Sequence, residues 1–288
     1  MVRSERWTPF LFLFPAIALL VIWRYVPLVL GLREAVYTNA LSFNAEREFV
    51  GLGNFRRIFD DPTFRNALSV TLRFNAIVNP LQTALALGLA VVANQSVRGI
   101  GAFRTILLLP VAISINVSAL AWGLALDGNY GVVNGMLDAL GIGTQPFLRS
   151  TDQALPTMVG IVSWIGVPLW MLFFLAGLQG IPTEVLEAAR LDGASRLRSF
   201  VDITLPLLRR VTAFVLVSAT VANLTLFVPP YLLTRGGPQE STNMLMYDAW
   251  ERGFIYSDFG ASAAMVIILL AISLVVVAVE FALLRPRH

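Results

Sequence analysis

The sequence predicts an all-α polytopic membrane protein with six transmembrane helices, and three observations carry that prediction. The 288-residue chain is 57% hydrophobic and only 14% charged. Its mean hydropathy of +0.73 is too apolar for a soluble domain. Several of its apolar runs exceed the ~20 residues needed to cross ~30 Å of hydrocarbon. Lipid offers the backbone no hydrogen-bond partner, so each run is expected to satisfy its own amides as a helix.

The expected spans lie at about 9–32, 68–93, 103–126, 155–178, 208–232 and 261–284, which makes 1–288 a single transmembrane domain. The first follows a basic start, Arg3 and Arg6, but it is long and no small-residue cleavage site follows, so it reads as an uncleaved span. Short connections at 94–102 and 179–206 alternate with longer polar segments at 33–67, 127–154 and 233–260. Eleven arginines fall on the side of the termini and the short connections, among them Arg98, Arg104, Arg190, Arg285 and Arg287, and eight on the other. The arginine excess predicts that both termini and the 179–206 connection are cytoplasmic. Pro15, Pro27, Pro80, Pro110 and Pro168 fall in or near spans, as kinks or as ordinary membrane proline usage. Asp127-Gly128-Asn129 and Gly236-Gly237-Pro238 read as turns in the outer loops.

Composition also excludes chemistry. The chain has no cysteine, its single histidine is His288, and all 21 basic residues are arginine. Thiol catalysis and cysteine metal sites are therefore absent. Without lysine there is no phosphate-gripping P-loop, so the chain is not expected to hydrolyse ATP itself. It lacks the metalloprotease and serine-hydrolase motifs, so no catalytic or metal-binding residue is assigned. A net charge of +3 is read as membrane topology and not as nucleic-acid binding. A secondary transporter is expected to carry midplane carboxylates or paired inverted halves, and neither is visible.

The charged segment 182–206 stands out in so apolar a chain. Ile181-Pro182 signals a helix start, and Glu184 and Glu187 sit where the helix dipole favours acids. Asp192-Gly193 breaks the run, and Ser195 can cap a second helix from Arg196 to about Thr204. Leu197, Phe200, Val201 and Ile203 give that helix an apolar side. Periodicity alone leaves two readings open: an amphipathic hairpin that covers the bundle, and a docking surface on which Ala188 and Ala189 admit a close partner.

In this segment Glu187-Ala188-Ala189, three residues, Gly193, nine residues, Ile203, one residue and Leu205-Pro206 reproduce a known spacing. It resembles the EAA loop of permease subunits in binding-protein-dependent ABC importers, with all seven motif positions matched. The similarity extends over nearly the whole chain, through Phe49-Val50-Gly51-Leu52-Gly53-Asn54-Phe55, Leu109-Pro110, Tyr130-Gly131, Leu178-Gln179-Gly180-Ile181-Pro182 and Leu233-Thr234-Arg235-Gly236-Gly237-Pro238. It is similar to the carbohydrate type, the group of the maltose F-subunit and the glycerol-phosphate A-subunit, without the extra N-terminal spans of the maltose subunit. The resemblance implies a type I ABC importer permease fold in a bacterial or archaeal cytoplasmic membrane. It further implies a second permease subunit of the G/E type, two ATP-binding subunits that hold ATP and Mg, an extracytoplasmic substrate-binding protein and surrounding lipid. Glu187, Ala188, Ala189, Asp192, Gly193, Ile203, Leu205 and Pro206 would then dock the ATPases.

Polar groups inside spans are candidates for the substrate path. Asn223 and Thr220 lie in SATVANLTLF, and Ser114, Asn116 and Ser118 in the third span. By position, Asn223 resembles a sugar-contacting site of the maltose subunit and Gly166 a close-approach position. Trp164 and Trp170 could stack on a sugar ring or simply pack. Helix–helix hydrogen bonding is the competing explanation for the Asn and Ser residues. Arg24, Arg73 and Glu280 are charged residues within spans, read as snorkelling or locally paired; Glu280 lies close to Arg285 and Arg287 in sequence. The substrate class implied is an oligosaccharide or related polyol, with a glycerol phosphate or glycerophosphodiester as the alternative.

Overall fold

The computed structural model describes residues 8–38 and 48–284. Arg3, Arg6, Arg285 and Arg287, which contribute to the expected orientation, lie outside the described residues. The chain divides into two compact units, Met1–Pro62 with Ala249–Ile268, and Thr63–Asp248 with Leu269–His288.

In the first unit, α1 (Thr8–Leu20) runs through a π-turn at Val21–Tyr25 into α2 (Val26–Glu34). Together they form an apolar segment, Phe10–Glu34, long enough to cross a membrane. Arg24 sits exposed in the π-turn. The short helix α3 (Gly53–Asp60) follows, and the Asn54 amide donates to the Ala35 and Tyr37 carbonyls, each at 2.9 Å. A side chain thus satisfies backbone groups freed where α2 ends. Arg57 pairs with Asp258 at 2.8 Å and Arg252 with Asp61.

The second unit is built on α4 (Pro62–Ala93), a 32-residue helix that carries the second expected span. The third expected span, 103–126, is not one straight helix. α5 (Ile100–Ala112) and α6 (Ile115–Ala125) meet at 99°. Ile113 is extended, and Ser114 starts a new helix by accepting from the Val117 amide. A serine that caps competes with helix continuation, and here the cap wins. α7 (Val132–Ala139) caps the following loop, and α8 (Ala154–Gln179) carries the fourth span.

The loop then forms α9 (Thr183–Leu191), α10 (Arg196–Ser199), a π-turn at Phe200–Thr204 and α11 (Leu205–Leu207). The fifth expected span, 208–232, is a 16-residue helix, α12 (Arg209–Leu224). Beyond it the apolar run leaves the α-helix at Thr225 and turns again through Pro230–Thr234, where Pro229 and Pro230 offer no amide donor. α13 (Leu245–Phe254) and α14 (Phe259–Leu284) are the last helices of the described residues. Among the described residues four helices are long and apolar enough to span, or five if the bent pair is one span.

The core of the second unit joins α4, α8 and α12. Ala86, Ala90 and Ala93 of α4 lie with Met171, Phe174 and Leu178 of α8 and with Val215 and Ala219 of α12. Small residues let the backbones approach closely, which drives helix packing where lipid weakens the hydrophobic effect. A Cβ on Gly177 of α8 would fall 2.8 Å from Val211 and 2.9 Å from Leu208.

Candidate functional site

Two constellations matter, and both lie in the second unit. The first is the helix–turn–helix at 183–206. Pro182 stands just before α9 in extended conformation, and Glu184 occupies the first turn. The end of α9 is a complete Schellman motif: the Gly193 amide donates to the Arg190 carbonyl at 3.1 Å and the Ala194 amide to the Ala189 carbonyl at 3.0 Å. Gly193 adopts φ +77°, and a Cβ there would meet nothing within 4 Å, so its requirement is conformational and not steric. Ser195 caps α10 by accepting from the Arg198 amide at 3.3 Å.

Of the eight motif residues, Glu187, Ala188, Asp192, Gly193 and Pro206 are exposed, Ile203 and Leu205 are half-buried, and Ala189 is buried. Ala189 thus faces inward while Ala188 faces out with Glu187. Leu191 is 89% and Leu197 73% exposed, an unusual presentation of apolar surface beside charge. Behind the loop lies a cavity of about 460 Å³ lined by Leu186, Arg190, Arg196, Phe200 and Thr204 among others.

The second constellation is a polar cluster buried among α4, α8, α12 and α14. Thr71, Asn75, Asn79 and Gln82 form a stripe along α4, all buried. Asn223 is 5% exposed, and its amide nitrogen donates to Asn79 Oδ1 at 2.8 Å and to Gln82 Oε1 at 3.1 Å. Gln82 Oε1 also accepts from the Trp170 indole at 3.2 Å, and Gln82 Nε2 donates to the Val162 carbonyl at 3.1 Å. The Thr220 hydroxyl accepts from Asn79 Nδ2 at 2.9 Å and donates to Glu280 Oε1 at 2.7 Å. A Cβ on Gly166 would meet Gln82 Nε2 at 3.1 Å, so this glycine also belongs to the cluster.

The other expected path residues lie elsewhere. Ser114 is the cap of α6, Asn116 is exposed, and Ser118 is buried with its hydroxyl unpartnered. Trp164 packs edge-on to Trp122 at 5.6 Å between ring centres. Trp170 is held by Gln82 as well as by packing. Arg73 bonds to Ser69 one turn away at 2.9 Å. Glu280 is tied to Thr220, whereas the arginines near it in sequence lie outside the described residues. Sequence reasoning missed Asn75, Asn79 and Gln82, although their spacing of four and three residues marks one face of a helix.

Among the groups outside the spans, Asp127 is notable. Its carboxylate accepts from the Asn129 amide at 2.8 Å and the Tyr130 amide at 3.1 Å, and pairs with Arg149 at 2.9 Å. The two backbone amides, then the guanidinium, hold its carboxyl below the usual carboxylate range. This is the turn expected at Asp127-Gly128-Asn129.

Comparison with known proteins places this arrangement. The family described as "Binding-protein-dependent transport system inner membrane component" matches residues 6–287. The chain belongs to this family. It is a multi-pass inner-membrane transport component, not an enzyme. This transport component is 35% identical to an sn-glycerol-3-phosphate transport system permease protein, UgpA, of Agrobacterium fabrum, over 97% of this chain and 95% of the relative. The UgpA protein of Yersinia pestis is 33% identical over 99% of this chain and 97% of its own length. A chain in the crystal structure of a bacterial ABC transporter involved in the import of the acidic polysaccharide alginate superposes with a TM-score of 0.84 at 23% identity, covering 98% of this chain and 96% of that one. A second alginate ABC transporter structure, in complex with an alginate pentasaccharide-bound periplasmic protein, superposes equally well, at 0.84. These two likenesses establish the fold, that of a type I ABC permease.

Proposed function

We propose that this chain forms half of the translocation path of an ATP-driven importer for a sugar or oligosaccharide. A second permease subunit of the G/E type completes the path. Two separate ATP-binding subunits, which hold ATP and Mg, dock on the 182–206 loop, and an extracytoplasmic binding protein delivers the substrate. The chain is one permease domain of six spans in contact with lipid. The bent pair α5–α6 counts as one span and α12 with the turn after it as another, and both termini and the loop are cytoplasmic.

The observation that carries this reading is the exposed helix–turn–helix. Glu187, Ala188 and Asp192 stand clear of the bundle beside bare Leu191 and Leu197, while Ala189, Ile203 and Leu205 seat the loop on it. Binding of ATP by the partners would then bias a two-state rocking of the permease pair through that contact. Asn223, Thr220, Gly166, Trp164, Ser114, Asn116 and Ser118 are the path residues in this reading.

A second substrate reading has its own support. The UgpA relatives are named for sn-glycerol-3-phosphate transport. A glycerol phosphate or glycerophosphodiester is therefore the alternative cargo. Proteoliposomes containing the full complex, supplied with binding protein and ATP, test both with labelled maltose, an alginate oligosaccharide and sn-glycerol 3-phosphate. ATP-dependent uptake of a saccharide supports the first reading, and uptake of the phosphate alone selects the second. Uptake that persists without the ATPase subunits overturns both.

A further inference from the structure

The hydrogen bonds of the buried cluster have a direction, and groups that can only donate or only accept anchor it, among them the Thr71 carbonyl that holds the Asn75 amide. At one end the Trp170 indole can only donate and the Val162 carbonyl can only accept. Gln82 is therefore held with Oε1 toward Trp170 and Nε2 toward Val162. At the other end the Thr220 hydroxyl has a single proton, and it goes to Glu280 Oε1. Thr220 is left to accept from the Asn79 amide nitrogen, which also donates to Asn75 Oδ1 at 3.3 Å, and the Asn79 oxygen is turned to Asn223. Asn223 then donates both amide hydrogens inward, one to Asn79 and one to Gln82.

We propose that Glu280 is a positioning residue: through Thr220 and Asn79 it holds Asn223 with both amide hydrogens turned into the bundle and Oδ1 as the group left to accept from a substrate hydroxyl. The inference rests on the reading of Asn223 as a path residue. Glu280 acts through one oxygen alone, because its Oε2 is buried without a hydrogen-bond partner. Glutamine, which keeps a carbonyl oxygen, replaces that function, and leucine does not. The contact also ties α14 to α12, where the Arg209 guanidinium adds a bond to the Leu283 carbonyl at 3.0 Å. An Asn223 fixed as an acceptor favours polyols, whose hydroxyls donate, over groups that only accept.

The test uses the assembled transporter with its ATPases and binding protein, and reads substrate moved per ATP hydrolysed, with labelled maltose and sn-glycerol 3-phosphate as probes. A purely structural defect lowers transport and ATP hydrolysis together, so this ratio isolates the path. Glu280→Leu and Thr220→Val are expected to lower the ratio at least fivefold, while Glu280→Gln stays within twofold of the wild type. If Asn223→Leu lowers the ratio and Glu280→Leu does not, the inference is overturned and the reading of Asn223 stands. If Asn223→Leu leaves it unchanged, that reading fails instead. Should Glu280→Leu fail to assemble, Thr220→Val breaks the relay at nearly constant volume and carries the same expectation. A structure of either variant in nanodiscs decides without any substrate: an intact Asn223–Asn79 bond overturns the inference, and a rotated Asn223 amide supports it.

Discussion

The 183–206 loop and the amide cluster of α4, α8 and α12 handle polar groups in opposite ways. The loop turns its polar side chains to capping and to solvent, so the break between its helices is satisfied locally: Gly193 closes α9, and Ser195 opens α10. The cluster satisfies its polar groups at a distance, with Asn223 reaching Asn79 and Gln82 more than 140 residues away in sequence. Local satisfaction leaves a surface free to meet a partner. Satisfaction at a distance binds helices into one body, and each member depends on the others. One region is therefore suited to transient docking and the other to holding a fixed geometry within the bundle.

Breaking the cluster should have the larger effect. Gln82→Leu leaves the Trp170 indole and one amide hydrogen of Asn223 without their shared acceptor in a buried cluster, at about 1–3 kcal/mol each. A clear fall in the thermal unfolding temperature of the purified chain in detergent is expected. An unchanged temperature would show that the buried amides do not depend on one another.

In the loop, a β-branched residue at φ +77° is strained by about 1–2 kcal/mol. Gly193→Val should reduce co-purification of the ATPase subunits while the chain still inserts. Gly193→Asn should largely retain it, because asparagine tolerates the left-handed conformation. Equal loss with both would point to crowding at the partner surface instead. Ser195→Ala removes one cap, at about 1 kcal/mol, and should weaken the same co-purification less than Gly193→Val does. The exposed Arg198–Asp202 pair at 3.3 Å is expected to matter least, with Asp202→Ala shifting stability by no more than about 0.5 kcal/mol.

Asp127 offers a third kind of polar satisfaction, local but charged. Its folded carboxyl is depressed, so its contribution is fully present above the ordinary carboxylate pKa and is lost as pH falls through the folded value. The loop at 127–154 should therefore loosen below about pH 4, read as faster proteolysis or amide exchange there. Asp127→Asn should remove that acid response and loosen the loop already at neutral pH, to about the extent that acid loosens the wild type.

The loop was legible in sequence because its determinants are neighbours. Proline before the first turn, acids near the start, glycine at the break and serine at the next cap act within a few residues of one another. The cluster was half legible. Asn223 and Thr220 stood out as polar residues in an apolar run, but their partners on α4 are remote in sequence and look ordinary until the helices are packed. The bend between α5 and α6 was hidden for a different reason. Ser114 reads equally well as a mid-helix serine and as a cap, and hydropathy does not separate the two.

Residue order alone places this chain in a membrane, makes it helical and sets a charged helix–turn–helix between two apolar runs. Hydropathy, propensity and capping all act over short distances, so one dimension suffices for them. Packing settled that α12 stops at Leu224, that the third run bends by 99°, and that Glu280 accepts from the Thr220 hydroxyl. Those outcomes depend on which buried donor finds which acceptor. That pairing is set when α4, α8, α12 and α14 pack closely enough to exclude every other partner.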